Sequence, residues 1–251
     1  MKKILVPSLI ALAVGALTSV AQAQTAPAEP ESSLSFNVGA VSDYRYRGIS
    51  QSRLQPALQG GADYADKSGF YVGAWGSTIK WIKDSGAEKG NVEIDLYGGY
   101  KGAVGDVSYD VGFLRYEYAG NKLGAVDGFA NANTTEAYGA VTYGLFTAKY
   151  SHALTNTFGN INSKNSYYLD LSATVDLGDG YTLVPHVGRQ MINNSPAYSY
   201  NDYALTLSKD LGNGLSASLM AVGTNAGKSQ YTLVDKYNGK DGLVVGLKYA
   251  F

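Results

Sequence analysis

The sequence of 251 residues contains no cysteine, only two histidines and six prolines. Without cysteine there is no disulfide framework, no thiolate metal site and no thiol nucleophile. Two isolated histidines, His152 and His186, match no metal-ligand spacing. Charge is scarce as well: 16% of residues are ionisable at neutral pH and the formal net charge is −1. With no basic run, nothing is offered to a nucleic-acid backbone. No hydrophobic run long enough for a membrane helix follows the first twenty residues, which excludes a bundle of transmembrane helices. No later segment combines a helical period with helix caps. What the chain does have is 21 tyrosines and 31 glycines, a composition that points to β-structure.

The N-terminus reads as an export signal. Lys2 and Lys3 precede a mostly apolar stretch over 4–20, and Ala21-Gln22-Ala23 supplies a small-residue cleavage pattern. Residues 1–23 are therefore expected to be removed, which leaves a mildly acidic chain outside the cytoplasm. Residues 24–33 carry no core-forming side chain larger than alanine and are expected to form a flexible tail.

From Leu34 to Phe251 the dominant pattern has period two, as in strands with two chemically different faces. Leu34, Phe36, Val38, Ala40, Tyr44 and Tyr46 share one face of the first candidate strand. Ser35, Asn37, Gly39, Asp43, Arg45 and Arg47 share the other. Candidate strands fall at 34–47, 56–64, 69–79, 91–101, 107–118, 136–143, 146–153, 166–176, 181–190, 201–209, 215–223 and 242–251. Most have about 8–12 residues, the length of a tilted strand crossing a bilayer. About twelve such strands make an even number, as a closed up-and-down antiparallel transmembrane β-barrel over 34–251 requires.

Connections and aromatics support that all-β barrel. Short turns are predicted at 65–68, 102–106, 144–145, 177–180 and 210–214. Longer loops are predicted at 48–55, 80–90, 119–135, 154–165, 191–200 and 224–241. The two kinds alternate, which sorts the loops to opposite ends; a soluble sandwich has no reason to do so. Outward aromatics such as Tyr64, Phe70, Tyr143, Phe146, Tyr181, Tyr249 and Phe251 fall at the short-turn end. Tyr44, Tyr46, Tyr150, Tyr167 and Tyr203 fall toward the other. Tyrosine bands at both interfaces are expected because the ring is buried while the hydroxyl stays hydrated. A closed barrel also pairs every backbone group in lipid.

Two stretches carry a resemblance. Leu243-x-Val245-x-Leu247-x-Tyr249-x-Phe251 looks like the terminal-strand signal that the barrel-assembly machinery reads. Residues 41–52 (VSDYRYRGISQS), with 69–77 (GFYVGAWGS) and 93–100 (EIDLYGGY), resemble the TorF family of porin-like barrels. That resemblance covers essentially the whole chain after the leader and implies a barrel in the Gram-negative outer membrane. It implies no solute and no functional residue.

Parity sends Asp43, Arg45, Arg47, Asp63, Glu93, Asp95, Lys101, Asp110, Glu136, Lys149, Asp170, Asp202 and Lys248 into the lumen. Asp43, Arg45 and Arg47 should lie toward the outer half, as should Glu93 and Asp95. These five are the candidate constriction, since opposed charges across a water-filled gap favour small polar solutes. The expected function is a channel for passive diffusion of small polar or charged solutes, with no cofactor and no metal. Two other classes stay open. A non-conducting structural or adhesion barrel would act through the loops at 119–135 and 224–241. A barrel enzyme would need His152 or His186 beside a serine or carboxylate. Scattered loop Asp and Asn show no calcium-loop spacing.

Overall fold

The computed structural model describes residues 32–251. The expected leader at 1–23, and the expected tail up to residue 31, lie outside the described residues. Ser32 and Ser33, expected in the tail, instead open the first strand.

Twelve antiparallel strands close on themselves. They are β1 (Ser32–Val41), β2 (Ala57–Asp66), β3 (Phe70–Thr78), β4 (Val92–Val104), β5 (Val107–Tyr118) and β6 (Thr134–Tyr143). The circuit continues with β7 (Phe146–Ala153) and β8, which runs as Tyr167–Ala173 and Val175–Gly178. It ends with β9 (Tyr181–Met191), β10 (Tyr200–Gly212), β11 (Leu215–Thr224) and β12 (Gly242–Ala250). Each strand pairs with its sequence neighbours, and β12 returns to β1 with Val38 opposite Tyr249. Reciprocal backbone bonds between Phe36 and Phe251 finish that seam. The break in β8 at Thr174 has a covalent cause. Pro185 on the facing strand has no N–H, so the ladder between Ser172–His186 and Val175–Leu183 is interrupted there.

The alternation resolves into two surfaces. Leu34, Val38, Leu96, Phe113, Leu171, Val187, Leu205 and Val245 stand exposed around the outside, forming the apolar belt that a bilayer covers. No helix among the described residues is long and apolar enough to cross a membrane; the strands do so. At the short-turn end, Phe36 stacks on Phe251 with ring centroids 5.8 Å apart, and Phe70 meets Tyr100 edge-on at 5.0 Å. These rings form the expected aromatic girdle. Turns and loops sort to opposite ends as the sequence predicts.

The inner surface explains why the chain is rich in both tyrosine and glycine. Inward tyrosines lie flat on inward glycines of the neighbouring strand: Tyr97 against Gly73, Tyr71 against Gly99, Tyr138 against Gly112 and Tyr168 against Gly188. A methyl group at any of these glycines would collide with the ring it carries. Rings therefore tile the wall on β3–β8. Around β7–β11 hydroxyl side chains become frequent on that inner face, with Thr147, Ser172, Thr182, Thr206, Ser208 and Ser218 sharing it by register beside Lys149, Tyr168, Val184, His186 and Met220.

The first strand is where the sequence expectation fails. It was expected to run to Arg47 with Tyr44 and Tyr46 facing lipid. It ends at Val41, and Tyr44 and Tyr46 are 1% and 9% exposed, inside the barrel. The alternation continues past Val41, but the backbone does not. Residues Arg45–Tyr46 and Ile49–Ser50 form a small hairpin whose two turn residues, Arg47 and Gly48, have φ of 46° and 78°. Two consecutive left-handed residues make the tight turn that matches strand twist. Ser42–Pro56 thus folds back into the lumen.

Candidate functional site: an inward hairpin at the long-loop end

Local hydrogen bonds hold the segment in shape. Asp43 accepts from the hydroxyls of Ser50 (2.5 Å) and Ser52 (3.1 Å), and it pairs with Arg45. The Arg45 guanidinium also donates to the carbonyls of Gly48 (2.9 Å) and Lys240 (2.8 Å), so the loop before β12 is tied to the hairpin. Further along, the Gln51 carbonyl accepts from the backbone of Lys80 (2.8 Å), and Arg53 pairs with Asp84 in the one-turn helix Trp81–Asp84.

Long-range contacts then fix the tip against the opposite wall. Arg47 Nη2 lies 2.7 Å from Glu136 on β6, and Nη1 lies 2.6 Å from the Gln190 side-chain oxygen on β9. Its guanidinium rests over the Tyr168 ring at 4.2 Å and the Tyr46 ring at 4.8 Å, adding cation–π attraction to the ion pair. Tyr46 and Tyr116 share a hydroxyl–hydroxyl bond, and Phe158 packs edge-on against both rings. Gly48 touches the wall so closely that a Cβ would strike the Thr224 methyl and come within 2.7 Å of Asp202 Cβ. Only glycine fits that tip.

The candidate constriction residues all line this region, but they do not oppose one another as a simple pair of charged walls. Arg45 takes Asp43 from its own hairpin, and Arg47 takes Glu136. Glu93 and Asp95 lie side by side on the inner face of β4, 1% and 0% exposed. The Tyr44 hydroxyl donates to Glu93 Oε1 at 3.1 Å. Burial first, and the Glu93 charge second, push the Tyr44 phenol above its ordinary pKa, so it stays protonated as that donor.

Below the hairpin the lumen is polar. Tyr71 donates to Asp110 (2.5 Å), Tyr97 to Asp63 (2.6 Å), and Lys101 lies 4.0 Å from Asp110. Lys149 sits over the Tyr138 ring at 4.1 Å. A narrow recess lies beside Arg47, between Lys149, Ser151, Tyr168 and Asp170. His186 is wedged between Asp170 (Nδ1, 2.9 Å) and Asp202 (Nε2, 2.8 Å), with the Tyr168 hydroxyl 3.1 Å from its Nε2. His152 contacts the Tyr150 hydroxyl and Asn165 near the loop end. Neither histidine has a serine hydroxyl among these partners, and no cluster of three metal-ligating acidic, His or Cys side chains occurs among the described residues. Sequence reading missed Glu136, Gln190 and Tyr168 as the hairpin's partners. Parity marks Glu136 as lumenal, but nothing local links it to an arginine 89 residues earlier.

A family model described as "Bacterial protein of unknown function (Gcw_chp)" matches residues 24–251. The chain belongs to this family. No curated protein matches the sequence. Among solved structures, the Gcw_chp chain is similar to the KdgM porin, with a TM-score of 0.55 at 9% identity. The match covers 86% of this chain and 99% of that one. It is likewise similar to the KdgM porin in complex with disordered oligogalacturonate, with a TM-score of 0.55 at 10% identity, covering 88% and 99%. At such low identity the likeness establishes the fold: this Gcw_chp protein is a closed twelve-stranded antiparallel barrel.

Proposed function

We propose that this Gcw_chp protein is a porin-like channel of the outer membrane through which small polar or charged solutes diffuse passively. The observation that carries this reading is the hairpin of Ser42–Pro56 inside a polar lumen. A barrel serving only as a structural wall needs no inward loop. A diffusion channel needs one to make the passage narrower than the barrel. Asp43, Arg45 and Arg47 on that hairpin, with Glu93 and Asp95 on the wall behind it, form the constriction. The hydroxyl-bearing inner face of β7–β11 lines the passage below.

The resemblance of residues 41–52, 69–77 and 93–100 to the TorF family supports the same reading. So does the porin fold. Export through the leader at 1–23, and insertion guided by the C-terminal strand ending at Phe251, belong to it too. Its orientation places the short turns in the periplasm and the long loops outside. The solute passes unchanged: His186 is engaged by two carboxylates and Tyr168, which suits a wall residue and not a general base.

One observation favours the non-conducting alternative. The long loops bond to one another as well as to the hairpin, through Ala130 N to Gly159 O (2.7 Å) and the Asn194 amide to Asn162 O (2.9 Å). Planar-bilayer recording of the refolded chain decides between them. Discrete conductance steps are expected, and silence at every voltage would hand the protein to the structural or adhesion reading.

A further inference from the structure

Charges at the constriction do not balance. Arg45 and Arg47 are already taken by Asp43 and Glu136. That leaves Glu93 and Asp95 as two fully buried carboxyl groups without a cation. Tyr44 satisfies Glu93 Oε1, and Glu93 and Asp95 come within hydrogen-bonding reach of each other, but among the described residues no other group donates to Glu93 Oε2 or to either Asp95 oxygen. In register, Asp95 is flanked by Trp75 on β3 and Tyr116 on β5, and Glu93 by Ser77 and Tyr118. The ring NH of a tryptophan is the sole donor that Trp75 could offer, and it makes no bond to Asp95. Lys149 is no counter-ion for them either: register puts it level with Asp110 and Lys101, well down the wall. Two ionised carboxylates side by side in low dielectric, with no donor for three of their oxygens, are strongly unfavourable unless a metal cation or a shared proton joins them.

We propose that Glu93 and Asp95 form a cation subsite at the constriction, occupied by a hard, partly hydrated metal ion. Carboxylate oxygens are the ligands such ions prefer. Among the described residues no third acidic, His or Cys side chain converges on the pair, so water would complete the ion's shell. It is therefore held loosely enough to leave, as conduction requires. Tyr44 acts as a positioning residue: its hydroxyl fixes the Glu93 carboxylate and links ion occupancy to the seat of the hairpin. The subsite stands on this buried carboxyl pair, which no donor but Tyr44 reaches. Its consequence, that the channel favours cations, rests on the porin reading above.

Two measurements on the full chain refolded in detergent test this. In the first, Tb³⁺ alone is titrated while luminescence is excited through the neighbouring Tyr44, Trp75 and Tyr118. A saturable signal displaced by Ca²⁺ is expected. It should vanish in Asp95→Asn and Glu93→Gln, whose native-like folding is checked by heat-modifiable gel mobility. Tyr44→Phe, which removes only the outer partner, should weaken binding by about tenfold. No saturable signal, as when the two carboxyls share protons, overturns the subsite; so does a signal that both amide variants retain. In the second, reversal potentials are read across a KCl gradient. Cation preference that falls in Asp95→Asn supports the proposal, and anion preference overturns it. A barrel that passes no current sinks the channel reading, while the Tb³⁺ titration still decides the subsite.

Discussion

Arg47 and Glu136 lie 2.7 Å apart although 89 residues separate them, with side chains only 6% and 2% exposed. One comes from the tip of a hairpin rooted on β1, the other from the wall at β6. This ion pair ties the hairpin tip to the far wall at the long-loop end.

Arg47→Ala should therefore raise single-channel conductance in planar bilayers and add open-state noise. It also leaves Glu136 buried without its cation, a loss of about 3–5 kcal/mol for a fully enclosed pair. Unfolding in urea should show that cost as an earlier midpoint. Glu136→Gln keeps the volume and an acceptor, so it should open the channel less. Unchanged conductance in both variants would remove the hairpin from the conduction path.

Gly48→Ala is the smallest change aimed at the same seat. The new methyl strikes the Thr224 side chain and approaches Asp202, in a backbone with φ of 78°. Gly120→Ala is its control: it has φ of 65°, but nothing stands within 4 Å of the added atom. The first variant should raise conductance and expose 42–56 to added protease; the second should do neither. Equal behaviour of the two would show that backbone strain alone matters.

His186 holds Asp170 and Asp202 apart at 2.9 and 2.8 Å, while Tyr168 donates to Asp202 at 3.1 Å. Replacing it by alanine sets two buried carboxylates face to face, and destabilisation of about 3 kcal/mol or more is expected. His186→Gln retains a polar bridge and should recover roughly half. The midpoint of urea unfolding reads both. A midpoint that His186→Ala leaves in place would contradict the wedge role.

Phe251→Ala should act at the seam. Phe251 stacks on Phe36 and on Tyr249 (5.5 Å), and its backbone closes β12 onto β1. Loss of the ring removes two aromatic contacts worth about 0.5–1.5 kcal/mol each. The fraction of chain that folds into heat-modifiable barrel should fall, with conductance per assembled channel unchanged. A conductance change at normal assembly would point to a seam that lines the pore.

Most of the barrel was legible because period-two alternation and loop length are local signals. From Val107 to Phe251 the strand spans shift by only a few residues, and outward positions such as Leu171 and Val245 stand where parity puts them. The one-turn helices Trp81–Asp84 and Lys228–Tyr231 are too short to leave a period. The hairpin was hidden differently. Tyr44-Arg45-Tyr46-Arg47 keeps alternating polar and apolar residues, so it imitates a continued strand. The Arg47-Gly48 turn is the local clue, since a glycine preceded by a residue that can take a left-handed conformation suits a two-residue hairpin. The site's partners carried no clue at all. Gln190 lies 143 residues from Arg47, and only closure of the sheet brings them together.

Both roots of Ser42–Pro56 leave the wall at one place, because Val41 and Ala57 face each other on paired strands. The segment is thus a tongue hinged on one side of the mouth. Its far end rests along β6 to β9, where Arg47 holds it against Glu136, Tyr168 and Gln190. On the channel reading proposed above, the largest passenger is set by where these fifteen or so residues are seated and not by the girth of the barrel, so pore size would be a property of one loop in a wall that need not change.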